Sequence, residues 1–207
     1  MGLFDAMKKA VAGSLGGTVS GAARNAASQV SDAAAAAVKA AAPKESQTFT
    51  FDHLPASVQE LQNLPEASLD SPFKTAALTV CALCAFPENR AAAKEMLNFL
   101  KGPQPLTPYE EQFLADRFMD GKKYVPFSYF EGTSPANDYT PAAPYRITVF
   151  TNPYSFQEEN YATLHIQSSG ADSARQVKLR KKGDQWFLWE QFLLSDIRKP
   201  KSADPWA

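Results

Sequence analysis

The sequence predicts an α+β fold: N-terminal helices packed on a curved antiparallel sheet, with an extended Ala-rich N-terminal helix ahead of them. Three observations predict it. The stretch 175–194, RQVKLRKKGDQWFLWEQFLL, alternates apolar and charged residues up to Lys182-Gly183-Asp184 and then returns, the pattern of a β-hairpin around a glycine turn. Between Pro55 and Gly121, successive apolar blocks open on proline or a capping residue, as helices do. Composition also changes sharply near Pro43, from alanine, glycine and serine to aromatics and prolines. The expected division is residues 1–43, an Ala/Gly-rich amphipathic helical segment, and residues 47–207, an α+β globular domain.

Bulk properties narrow the function classes. Hydrophobic residues make up 44% of the chain and charged residues 21%, ordinary for a globular protein. A net charge of −1 supplies no overall field to draw in nucleic acid or an anionic membrane. Two cysteines, Cys81 and Cys84, make no disulfide framework, and a cytoplasmic location is expected, with peripheral membrane contact the one addition. No apolar run reaches the roughly 18 residues a spanning helix needs. Asp5 and Gly13, Gly16 and Gly17 spoil a secretion signal, and Ala6 stands where N-myristoylation wants Ser or Thr.

The leading segment holds two helical patterns. Leu3, Phe4, Met7, Val11 and Leu15 fall on one stripe. Val19, Ala23, Ala26, Val30, Ala33, Ala37 and Ala40 are spaced alternately by four and three, a heptad seam of small residues. Such a helix is marginal alone, so it reads either as a flexible, partly helical tail or as a helix that docks. The expected partners are a helical protein or a second copy through the Val19–Ala37 seam, and a membrane surface through the Leu3–Leu15 stripe. The opening GLFDAMKKAVAGSLGG resembles the amphipathic membrane-active peptides of frog skin, which implies a helix able to lie in a lipid interface.

Taken in order, Gln47–Phe51 alternates and predicts a short edge strand. Pro55 opens a short helix to Leu64. Ser71-Pro72 marks an N-cap and first turn, and Pro72–Ala85 is apolar nearly all round, so it should be the buried central helix. Pro87 opens the next helix, with Ala93, Met96, Leu97 and Leu100 inward and Arg90, Lys94 and Lys101 outward, ended by Gly102-Pro103. Thr107-Pro108-Tyr109-Glu110 fits a capping box; Phe113, Leu114 and Phe118 should face inward, and Gly121 stops that helix. Tyr124–Phe130 reads as an edge strand broken by Pro126, and Ser134–Pro144 as a loop. Tyr145–Thr151 and Tyr161–Ser168 are strands, the second with Ala162, Leu164 and Ile166 inward and His165 outward. Trp186-Phe187-Leu188-Trp189 is apolar at consecutive positions, which predicts a strand in the sheet interior. Residues from Ile197 onward should be irregular.

Two further resemblances follow from these residues. VKLRKKGDQWFLWE looks like the closing strands of nuclear-transport-factor-2-like and cystatin-like domains, which implies a curved sheet over helices and, in that manner, a small-ligand-binding or enzymatic pocket. No catalytic Asp–His pair of the enzymatic members can be placed. The run SSGADSARQVKLRKKGDQWFLWEQFLLSDIRKPKSADPWA is similar to the C-terminus of an uncharacterised family in gut Gram-positive bacteria whose chains finish in Asp-Pro-Trp; that family carries no known activity.

Candidate chemistry is sparse. Cys81 and Cys84 have C-x-x-C spacing but sit late in an apolar helix, and zinc would want two more ligands, so they read as core residues and no metal or cofactor is expected. His53 and His165 have no sequence-local triad partners. Glu110-Glu111 and Glu158-Glu159 are neighbours, which do not face each other, and read as solvated faces. Arg175, Lys178, Arg180, Lys181 and Lys182 beside Trp186 and Trp189 have the residue types of single-strand nucleic-acid sites, though an exposed face whose edge lysines discourage strand-to-strand aggregation is the simpler account, since the tryptophans lie on a strand read as buried. Tyr129, Tyr145 and Tyr161 are the candidate ligand-binding residues, because rings with hydroxyls suit an apolar pocket with polar anchors. The leading expectation is a non-enzymatic interaction protein, with a ligand-binding or enzymatic domain as the alternative.

Overall fold

The computed structural model describes residues 45–205. The alanine-rich helix expected over residues 1–43, with the Leu3–Leu15 stripe and the Val19–Ala37 seam, lies outside the described residues. Strand β1 (Ser46–Phe51) is followed by helices α1 (Val58–Gln62), α2 (Pro72–Ala85), α3 (Arg90–Lys101) and α4 (Pro108–Arg117), and then by β2 (Tyr145–Phe150), β3 (Tyr161–Ile166), β4 (Arg175–Lys182) and β5 (Gln185–Gln191). The strands form one open antiparallel sheet in the order β1-β2-β3-β4-β5. Helices grouped between β1 and β2 and covering the sheet make this an α+β domain, the class the sequence predicts.

Helix α2 is the centre of the core. Alanines at 76, 77 and 82 favour helix and let the backbone come close to the sheet, and the helix packs against every strand. Twelve of its 14 residues are buried. Ile147, Val149, Leu164, Ile166, Val177 and Leu179 point up at it and are all 0% exposed. Each such side chain contributes about 1.5–3 kcal/mol of burial. Two threonines interrupt the apolar surface and both are satisfied. Thr79 Oγ1 donates to the Thr75 carbonyl at 2.8 Å, and Thr75 Oγ1 donates to the Trp186 carbonyl at 2.7 Å.

Helix boundaries follow the capping groups more than the prolines. The helix expected from Pro55 starts after Ser57, whose hydroxyl accepts from the Glu60 amide. The one expected from Pro87 starts after Asn89, which accepts from the Ala92 amide. Pro87 serves the turn before it. The capping box at Thr107 forms as read, with both reciprocal hydrogen bonds. Helix α4 ends at Arg117, short of Gly121, because Asp120 and Gly121 both take positive φ.

Two expectations are corrected. Tyr124–Phe130 is no strand: Lys122–Tyr124 and Pro126–Tyr129 are 3₁₀ turns. Val125, Pro126, Ser128, Tyr129 and Phe130 are all buried, so the segment has no wet face of period two. Strand β5 is not interior but lies at the sheet edge. Its doubled apolar character has another cause. Leu188 faces the core opposite Leu179, while the Phe187 ring lies so close to Gly102 that a Cβ there would stand 2.3 Å from it. The C-terminal end of α3, not a sixth strand, covers that side.

The rim of β5 is also occupied. The Trp186 amide donates to the Leu69 carbonyl at 2.7 Å, the Trp186 carbonyl accepts from Thr75, and the Trp189 carbonyl faces Lys101 Nζ at 3.4 Å. With these three groups taken, the edge offers another chain fewer bonds. The tail beyond β5 is irregular apart from a 3₁₀ turn at Lys201–Ala203, and tyrosine hydroxyls pin it. Tyr129 donates to the Leu193 carbonyl, Tyr124 to that of Ile197 and Tyr139 to that of Arg198.

Candidate functional site

A groove runs along β5 where α3 ends and α4 begins. Three overlapping hollows, of about 430, 390 and 520 Å³, share Lys101 and Trp189. The loop that forms its wall is fixed by sequence. Gly102 takes φ +60° to leave the helix, Asn98 Oδ1 accepts from the Leu106 amide at 2.8 Å, and the Thr107 cap restarts the chain as α4.

Lys101, expected outward, is buried instead. Its side chain is 8% exposed, and Nζ lies 2.7 Å from Glu110 Oε1. Two turns back along α3, Lys94 Nζ lies 2.6 Å from Oε2 of the neighbouring Glu111. The adjacent glutamates, read as a solvated face, thus latch α4 onto α3. The pair at the floor is balanced. Burial works against the charge on Glu110, but the Lys101 hydrogen bond and those from Thr107 outweigh it and hold the carboxyl below its ordinary range. Such a carboxylate stays ionised and is a poor proton donor near neutral pH.

The groove has two unlike ends. Toward the hairpin turn lie Arg180, Lys181 and Lys182, all exposed, with Phe187 and Gln104. Among the described residues none of these three cations has a carboxylate within ion-pair distance. Arg180 is held by rings: its guanidinium carbon stands 4.7 Å from the Trp189 centroid and 5.4 Å from that of Tyr161, and the two rings meet edge to face. At the other end the lining is Leu97, Leu106, Phe113, Leu114 and Phe192. Phe192 is 49% exposed and Tyr109 80%, so both present ring area to solvent beside this end of the groove.

A family model described as Domain of unknown function (DUF6935) matches residues 53–201. This chain belongs to that family. The match takes in the four helices, β2 to β5 and every residue of the groove; β1 precedes it. An uncharacterised family is what the C-terminal third resembles in sequence. No curated protein and no solved structure matches the chain.

The three candidate tyrosines stand apart. Tyr129 is 3% exposed with its hydroxyl 2.5 Å from the Leu193 carbonyl, and burial pushes that hydroxyl's pKa up. Tyr145 meets Phe130 edge to face. Tyr161 is on the opposite face of the sheet with Trp189 and Arg180. Of the expected basic edge, Arg175 is used on the carbonyls of Ser195 and Asp196, and Lys178 is paired with Glu158 at 2.8 Å. Cys81 and Cys84 are buried free thiols whose pKa values burial pushes up, and no metal-holding cluster occurs among the described residues. His165 is on the strand face expected but 8% exposed, because the loop after β2 brings Asn152 Nδ2 to 3.3 Å from its ring, which stacks on Phe150. No helix among the described residues is long and apolar enough to cross a membrane. The groove itself was missed; its one sequence signal was Gly102-Pro103 beside a capping box, which forces a tight α3–α4 corner against the Trp-containing strand.

Proposed function

We propose that this is a non-enzymatic interaction protein that captures a partner in the groove along β5. The observation that carries this reading is the groove's chemistry. Its floor charges, Lys101 and Glu110, are bound to each other, and around them lie exposed rings and aliphatic side chains. Catalysis by acid, base or nucleophile needs a group poised to exchange a proton or attack, and a balanced ion pair with a depressed carboxyl is poised for neither. Recognition needs apolar area and oriented charge, which this groove has.

Association through the leading segment is the second part of the proposal. The spacing of Val19, Ala23, Ala26, Val30, Ala33 and Ala37 supports pairing with a helical partner or a second copy, and the Leu3, Phe4, Met7, Val11 and Leu15 stripe supports peripheral contact with a membrane surface. The test uses the full chain. Sedimentation velocity should show self-association that V19E/V30E abolishes, or co-sedimentation with anionic vesicles that L3E/M7E abolishes. A monomer that ignores vesicles and is unaltered by either change removes this part.

A further inference from the structure

We propose that the occupant of the groove is an extended acidic peptide with a hydrophobic anchor, bound with its acidic end toward the β4–β5 turn. This deepens the binding reading above and rests on it. Shape supports it first. The groove is open along its length, and following the chain from Phe187 to Phe192 it runs roughly 17 Å at about 3.3 Å per residue. A small molecule wants most of its surface enclosed, whereas a strand-like peptide lies well in an open trough.

Charge then sets the polarity. Arg180, Lys181 and Lys182 gather at one end with no carboxylate partner among the described residues. Arg180 is also presented in place by Trp189 and Tyr161, so less side-chain freedom is lost when it takes a carboxylate. Past Trp189 the sign reverses at Glu190, beyond which Phe113 and Phe192 offer apolar contact. A peptide with glutamates at one end and leucine or phenylalanine at the other matches this order; the reverse orientation sets carboxylates against Glu190. Continuous backbone pairing with β5 is not part of the fit, because the Trp186 amide and carbonyl and the Trp189 carbonyl already bond to Leu69, Thr75 and Lys101.

The test is fluorescence anisotropy of the full chain with a labelled peptide of four glutamates, a Gly-Ser-Gly-Ser spacer and a Leu-Phe-Leu-Phe end. Companion probes replace the glutamates by glutamine or by lysine, and a thymidine oligonucleotide of equal length stands for nucleic acid. The glutamate peptide should bind with a dissociation constant below about 100 µM, at least tenfold tighter than the glutamine peptide. K181E/K182E, on exposed residues, should remove that tenfold advantage; Phe113→Ala should weaken both peptides about equally. If glutamate and glutamine peptides bind alike, the acidic partner is wrong while groove binding stands. If neither binds, both fail. Preference for the oligonucleotide over the glutamate peptide also overturns the inference.

Discussion

Lys101 Nζ lies 2.7 Å from Glu110 Oε1, while the second oxygen of that carboxyl accepts from the Thr107 amide at 2.8 Å. One side chain therefore caps α4 and neutralises the last residue of α3. Glu110→Gln keeps an oxygen for the cap but strands an ammonium that is 8% exposed. Urea unfolding should show a loss of about 1–2 kcal/mol, below the 3–5 of a fully buried pair because a third of Glu110 is open to water. Lys101→Met should cost less, since the freed carboxylate can turn to solvent.

The same pair fixes a pH dependence. Glu110 titrates below its ordinary 4.5 in the folded protein, so its contribution is complete above that value and is lost as pH falls through the folded pKa. The stability difference between wild type and Glu110→Gln should be constant from pH 7 to about 5 and narrow below pH 4.5. Denaturant melts across this range check it; a gap that widens on acidification refutes the sign.

Thr75 is fully buried and its hydroxyl serves the Trp186 carbonyl. Thr75→Val keeps the shape and leaves that carbonyl unpaired, at a cost of about 1–3 kcal/mol, whereas Thr75→Ser should retain the bond. Amide exchange at Trp186 and its neighbours should accelerate in the valine variant alone.

Gly102 combines φ +60° with the nearness of Phe187. Gly102→Ala should destabilise by about 1–3 kcal/mol through both strain and overlap. In a double-mutant cycle with Phe187→Ala, the overlap part should vanish and the backbone part remain.

Cys81 and Cys84 are buried, and that burial raises their pKa values. Neither should react with a thiol reagent in the native protein, and both should react at the rate of unfolding in denaturant.

How far the sequence revealed this architecture differs by element. Helix α2 was readable to the residue because Ser71-Pro72 and an apolar surface all round leave one solution. The β4–β5 hairpin was readable from Gly183, which takes φ +59°. The place of β5 was not, since consecutive apolar residues can be covered by a neighbouring strand or by a helix end, and periodicity does not distinguish the two. Lys101 was misread for a related reason. Its helical phase is outward, but α4 folds back over that phase, and only tertiary structure brings Glu110 to it. That Tyr124, Tyr129 and Tyr139 clamp the tail was not readable, because each hydroxyl's partner carbonyl lies 59 to 73 residues away.

The pinned rim of β5 bears on how copies of this domain can meet. Endless strand-by-strand growth requires two open margins per molecule, one to give and one to receive. Leu69, Thr75 and Lys101 hold the Trp186 amide, the Trp186 carbonyl and the Trp189 carbonyl, so growth through the β5 side would first have to break those bonds. The fold thus carries its own brake on filament formation.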